Sequence, residues 1–122
     1  MKDELLKIID NNLTVEEIDG RTFLHLPLYE LKDMSPNFVV ELIKTDNEYK
    51  LSDMKSLVRS LIEEDTLNDY IIDKINELAP TYRLTVDKGE VSATFSELED
   101  IKYFVSYMFA FVSVINYLSK NN

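Results

Sequence analysis

Apolar and polar positions along the chain repeat at two periods, and the switches between them mark out the elements. Lys2 to Asn11 reads as a short helix with Leu5, Ile8 and Ile9 on one face, ended by Asn11 and Asn12. The period then falls to two. Val15 to Ile18 and Thr22 to Leu26 flank Asp19-Gly20, a hairpin signal because both turn positions want positive φ. Pro27 suits a strand end or an edge, and Lys32 to Asn37 is a loop turning at Ser35-Pro36. Phe38 to Ile43 is the most strand-like run, nearly continuous and β-branched, so it belongs in the middle of a sheet. Tyr49-Lys50-Leu51 returns after the turn at Asp46-Asn47.

The helical period resumes at Asp53, which can cap a helix from Met54 to about Glu64. Met54, Leu57, Val58, Leu61 and Ile62 form its apolar stripe. Thr66 and Asp69 resemble a capping pair for a helix to about Leu78, burying Leu67, Ile71, Ile75 and Leu78 and stopped by Pro80. Tyr82, Leu84 and Val86 alternate, Asp87-Lys88-Gly89 turns, and Val91, Ala93 and Phe95 alternate back as a second hairpin. Ser96-Glu97-Leu98-Glu99 has the form of a capping box opening a last helix to about Ser119. The pattern predicts one α+β domain over residues 1–122: an antiparallel sheet of four to six strands built from hairpins, packed against helices.

That last helix is the most unusual segment, because Tyr103 to Ser119 carries no charge. A membrane anchor needs about 20 predominantly apolar residues, and Ser106, Ser113 and Asn116 interrupt this shorter run. A core helix explains it better, with Leu98, Ile101, Val105, Met108, Val112 and Ile115 facing the sheet. Phe104, Phe111 and Leu118 form a second apolar row, and Tyr103, Tyr107 and Tyr117 add amphipathic area. A helix apolar on most sides is covered on most sides. These six residues are therefore the candidate interaction surface, for other helices or for a homodimer through this helix.

Charge narrows the function classes. The 13 basic residues face 23 acidic ones, a net of -10, which disfavours direct nucleic-acid binding and anionic membrane surfaces. The same balance suits docking on a basic protein. The absence of cysteine removes thiolate metal sites, disulfides and thiol nucleophiles, and fits a reducing, cytoplasmic compartment. Met1 to Asp10 carries acids and no long apolar run, unlike a signal peptide. The 13 aromatics (7 Tyr, 6 Phe) and 45% apolar residues can fill a core.

Little in the sequence assembles into chemistry. His25 is the single histidine and sits between leucines. Gly20 and Gly89 are the two glycines, each in a turn, so there is no phosphate-cradling loop. No serine sits in a nucleophile-elbow context. The metal candidates are Asp33, Glu41 and Asp53, with Lys44 nearby, but Glu41 and Lys44 are three apart and would face opposite sides of a strand. No cofactor is expected.

From Phe23 onward the order of features resembles a small prokaryotic domain family of unknown function, number eighteen-twenty-eight in its catalogue. The likeness runs through Phe23-Leu24-His25-Leu26-Pro27-Leu28, the apolar strand Phe38 to Ile43, Tyr49-Lys50-Leu51-Ser52-Asp53, two helices, a hairpin and a long apolar helix. The family's usual Thr-Asp-Asp-Gly stands here as Ser52-Asp53-Met54-Lys55, matching at Asp53. The resemblance implies the fold more than an activity, together with a phage or mobile-element setting. The sequence reading is thus a non-enzymatic acidic interaction module, an accessory protein binding a basic host protein. The alternatives are a metal-dependent nuclease or hydrolase using strand-borne acids, and a structural homo-oligomer subunit.

Overall fold

The structure, a computed structural model, describes residues 1–9, 13–26 and 38–121. Helix α1 (Lys2–Ile8) leads to strands β1 (Thr14–Ile18), β2 (Arg21–Leu26), β3 (Phe38–Lys44) and β4 (Tyr49–Ser52). Helices α2 (Ser56–Glu63) and α3 (Asp69–Leu78) follow, then a 3-10 turn at Ala79–Tyr82. Strands β5 (Thr85–Asp87) and β6 (Glu90–Phe95), a 3-10 turn at Leu98–Asp100 and helix α4 (Ile101–Lys120) complete the chain. The helix end at Asn11-Asn12, Pro27, the loop from Lys32 to Asn37 and the metal candidate Asp33 lie outside the described residues.

All pairings are antiparallel, in the order β1-β2-β3-β4-β6-β5, so the fold is α+β with an open six-stranded sheet. Alternation decides what each face carries. On one face Leu24 pairs with Val40 and Leu26 with Phe38, and Leu42, Leu51 and Ala93 continue across the register. These residues are buried with Leu5 of α1, Leu57 and Leu61 of α2, Ile71 and Ile75 of α3, and the inner face of α4. The helices therefore share the core with that face. On the other face Phe23, Glu41, Ser52 and Ser92 stand in one cross-strand row.

Both glycine hairpins form as their sequences require. Asp19 and Gly20 sit at φ 51 and 78, Lys88 and Gly89 at φ 51 and 86, the paired positive values of a type I′ turn. Helix α4 keeps Ile101, Val105, Met108, Val112 and Ile115 buried at 3-4 spacing, as expected. By length and composition Leu98–Lys120 could cross a membrane, but one side of it is part of this core.

Four local expectations are corrected. Helix α2 does not begin at Met54, because Asp53 to Ser56 is a tight turn closed by Ser56 N–H donating to the Asp53 carbonyl at 2.9 Å. Met54 and Lys55, at φ 56 and 65, hold its two centre positions. The shorter helix buries Leu57 and Leu61 and leaves Ile62 outside. The cap of α3 is Asn68, whose side-chain oxygen accepts from Ile71 N–H at 3.0 Å, in place of the Thr66–Asp69 pair. The capping box at Ser96 does not form. A 3-10 turn precedes α4, and no side chain caps either. The returning strand β5 is also shorter than its alternation implied, since Tyr82 belongs to the 3-10 turn and packs its ring against Phe111.

Candidate functional site

The two described metal candidates, Glu41 and Asp53, are each committed to structural partners. Glu41 takes a two-pronged hydrogen bond from Arg21, with Nε to Oε2 and Nη2 to Oε1 both at 2.8 Å. That bond holds its carboxyl below the ordinary range against the opposing effect of burial. Arg21 also lies 5.0 Å from the centre of the Phe23 ring. Lys44 points the other way, as the alternation demands, and lies 5.9 Å from the Tyr49 ring centre. Glu41 and Lys44 therefore do not converge.

Asp53 is fully buried and works on the backbone. Its Oδ1 accepts from Lys55 and Val91 N–H, both at 2.9 Å, and its Oδ2 accepts from Leu57 N–H at 3.1 Å. One carboxylate thus ties the end of β4 to β6 and to the first turn of α2. Burial pushes its carboxyl up and the three N–H donors pull it back, leaving it raised overall. Next to it, Ser52 donates its hydroxyl to Glu90 and accepts from Met54 N–H at 3.0 Å, while Lys50 Nζ reaches Glu90 at 3.2 Å. The Ser52 hydrogen bond first, then Lys50, lowers the Glu90 carboxyl. His25 pairs with Glu16 at 3.2 Å. Among the described residues no three carboxylate or imidazole side chains come together as a metal site.

Unpaired acids and exposed apolar groups meet elsewhere, at the corner between α2, α3 and the β5-β6 turn. A cleft of about 300 Å³ opens there, floored by Val58, Leu67, Ile75 and Val86, with Ile72 and Asn76 along one wall and Lys88 and Gly89 on the turn. Ile62, one turn beyond Val58 on α2, is 60% exposed, and Ile72 is 41% exposed. On α3 the spacing Asp69, Ile72, Asp73, Asn76 puts two acids on the same face as two cleft residues. Neither Asp69 nor Asp73 forms an ion pair with a described residue. Sequence reasoning placed Ile62 and Leu67 in the core and missed this corner. The signal that could have found it is the alternation of acids with Ile72 on α3.

The six aromatic and apolar residues singled out on the last helix divide. Phe111 is fully buried beneath Tyr82, so it belongs to the core and not to a surface. Phe104 and Leu118 are half-buried and pack against that core. Phe104 stacks on Phe95, which stacks on Tyr49. Tyr103 and Tyr117 are 51% and 63% exposed, and Tyr107 is half-buried. Tyr103, Phe104 and Tyr107 line a second cleft of about 520 Å³ with Arg83, Phe95 and Asp100. The Arg83 guanidinium sits 5.9 Å from the centre of the Tyr107 ring.

No protein-family model, no curated protein and no solved structure matches the chain.

Proposed function

We propose that the chain is a non-enzymatic protein-interaction module that docks a basic partner protein at the corner between α2 and α3. One observation carries this reading: exposed Ile72 borders an apolar cleft on the helix face where Asp69 and Asp73 stand without an ion-pair partner among the described residues. Exposed apolar area supplies the driving force for docking. The acids select a basic partner and reject an acidic one. A short amphipathic segment fits this chemistry, with an aliphatic anchor in the cleft and Lys or Arg over Asp69 and Asp73. The strand-borne acids support the same reading from the other side, since Glu41, Asp53 and Glu90 are occupied with Arg21, backbone N–H groups and Ser52-Lys50.

The test is a paired capture from the lysate of the native host, comparing the wild type with Ile72→Asp and with Asp69→Lys/Asp73→Lys. The expected result is a basic protein retained by the wild type, lost from both variants, and released near 1 M salt, where the screening length falls to about 3 Å. Equal recovery by wild type and variants would refute the assignment of this corner.

A further inference from the structure

The cleft of about 520 Å³ at the start of α4 differs in kind from the one at the α2-α3 corner, because it brings two opposite charges and several aromatic rings together. Three parts of the chain build it: the end of the 3-10 turn with Arg83, the end of β6 with Thr94 and Phe95, and the first turns of α4 from Asp100 to Tyr107. The backbone under Arg83 is held on both sides. Arg83 N–H donates to the Pro80 carbonyl at 3.0 Å, and Leu84 N–H donates to the Ala79 carbonyl at 2.9 Å.

The two charges in the cleft are both uncommitted. Of the three arginines in the chain, Arg21 is spent on Glu41 and Arg59 on the Met54 carbonyl at 2.7 Å. The Arg83 guanidinium donates to no described residue and forms no ion pair with one, although acids outnumber bases by 23 to 13. Its one partner is the face of the Tyr107 ring. Asp100 sits at the N-cap of α4, yet its side chain makes no capping bond and forms no ion pair, with Arg83 or any other described cation. Between them the rings are fixed. Phe104 stacks on Phe95 with centroids 5.0 Å apart, and Tyr107 stands against Phe104 at 87°. Two rings at right angles form a corner in which a third ring can stack on one and meet the edge of the other.

From this geometry we infer that the cleft binds a small zwitterionic aromatic molecule, of which a free aromatic amino acid is the simplest. Its carboxylate pairs with Arg83, its ammonium with Asp100, and its ring enters the corner of Phe104 and Tyr107. Charge selects this class over its neighbours. A chain with a net charge of -10 repels a free anion, and one guanidinium is a small counterweight. A plain cation meets Arg83 already over the Tyr107 ring. An uncharged ring desolvates both charges and satisfies neither. A zwitterion carries no net charge and matches each group with its opposite. The volume is that of an ordinary small-molecule pocket, which is typically about 300–1,000 Å³ with apolar walls and a few placed polar groups. This site is separate from the α2-α3 corner, and either can fail without the other.

The test is titration of the isotope-labelled full chain with L-phenylalanine, followed by amide NMR shifts. Shifts are expected at Arg83, Ser96 and Tyr103, and none at Ile72 or Lys88. Two analogues each remove one charge: 3-phenylpropionate lacks the ammonium and phenethylamine lacks the carboxylate. Each should bind about tenfold more weakly or worse, since each leaves one charged group without its hydrogen-bond partner. Arg83→Gln, at an exposed position, should bring L-phenylalanine down to the level of phenethylamine and leave phenethylamine as tight as before or tighter. Asp100→Asn, which keeps a residue suited to an N-cap, should do the converse with 3-phenylpropionate. No shift up to the solubility limit of L-phenylalanine would overturn the inference. So would analogues that bind as well as the amino acid, or an Arg83→Gln variant that weakens L-phenylalanine and phenethylamine equally.

Discussion

Asp53 gives the sharpest single test of how the sheet and helices are joined. Replacing it by Ala removes the acceptor of three backbone N–H groups. Lys55 is exposed, so water can reach its amide. Val91 and Leu57 are fully buried, and their amides have no replacement. An unsatisfied buried donor costs about 1–3 kcal/mol. Two of them set a loss of roughly 2–6 kcal/mol, reduced by relief of the cost of burying the carboxylate. A net destabilisation near 3 kcal/mol is expected, measured as a fall in the urea midpoint at constant slope. Asp53→Asn keeps one oxygen for Lys55 and Val91 but turns an amide NH2 toward Leu57 N–H, and should cost about 2 kcal/mol. The pH dependence has a definite sign. Burial raises the Asp53 carboxyl in the folded state, so the fold binds more protons than the unfolded chain between the ordinary aspartate value and the raised one. Its contribution is fully present at acid pH and declines as pH rises through the folded value. The cost of Asp53→Asn should therefore be greatest at acid pH and shrink as pH rises above the aspartate reference near 3.9 and through the raised folded value. An Asp53→Ala variant within 0.5 kcal/mol of wild type would refute the bridging role.

Lys55→Gly should raise stability by about 1 kcal/mol, because Lys55 sits at φ 65 where a side chain is strained and glycine is not; a loss of stability would show that the Lys55 side chain contributes more than its strain. Glu41→Gln should cost about 1 kcal/mol near pH 7, since the Arg21 partner is largely exposed. Because the Glu41 carboxyl is lowered in the fold, that difference should vanish as pH falls below the ordinary glutamate value and through the lowered folded value, and a difference that persists once Glu41 is protonated would assign it to packing. Phe111→Ala should cost about 3–5 kcal/mol, with Tyr117→Ala near zero under dilute conditions; similar effects of both would contradict their burial.

The fold was legible in the sequence where period and turn chemistry agreed. Asp19-Gly20 and Gly89 fixed two hairpins, and the run from Phe38 to Ile43 declared an interior strand. Legibility failed at helix starts, because caps are chosen by tertiary context. Asp53 reads as the cap of a helix at Met54, yet its carboxylate is shared with Val91 N–H across the sheet, and that bond fixes the tight turn which delays the helix to Ser56. Lys55 is held at φ 65, a left-handed position where glycine is favoured, which the residue type alone does not announce. The α2-α3 corner was hidden for a related reason. Val58 lies on the apolar stripe of α2, and only the position of α3 shows that the stripe borders an open cleft. Phe111 was misassigned to the surface because a helix apolar on most sides gives no sequence signal for which sides are covered.

Ionic strength separates the two contributions assigned to the corner between α2 and α3. Asp69 and Asp73 are exposed, so their attraction for a basic partner is screened as salt rises from about 0.05 to 0.5 M and the screening length shortens from more than 10 Å to about 4 Å. Burial of Ile72 against the partner is not screened in this way. Capture by the wild type is therefore expected to weaken along the salt series, and capture by Asp69→Lys/Asp73→Lys to be weak already at its low end, because like charges then face the partner. Ile72→Asp leaves both acids in place, so whatever binding it retains should keep the salt dependence of the wild type. A wild-type complex indifferent to salt would mean that the acids of α3 take no part in holding the partner.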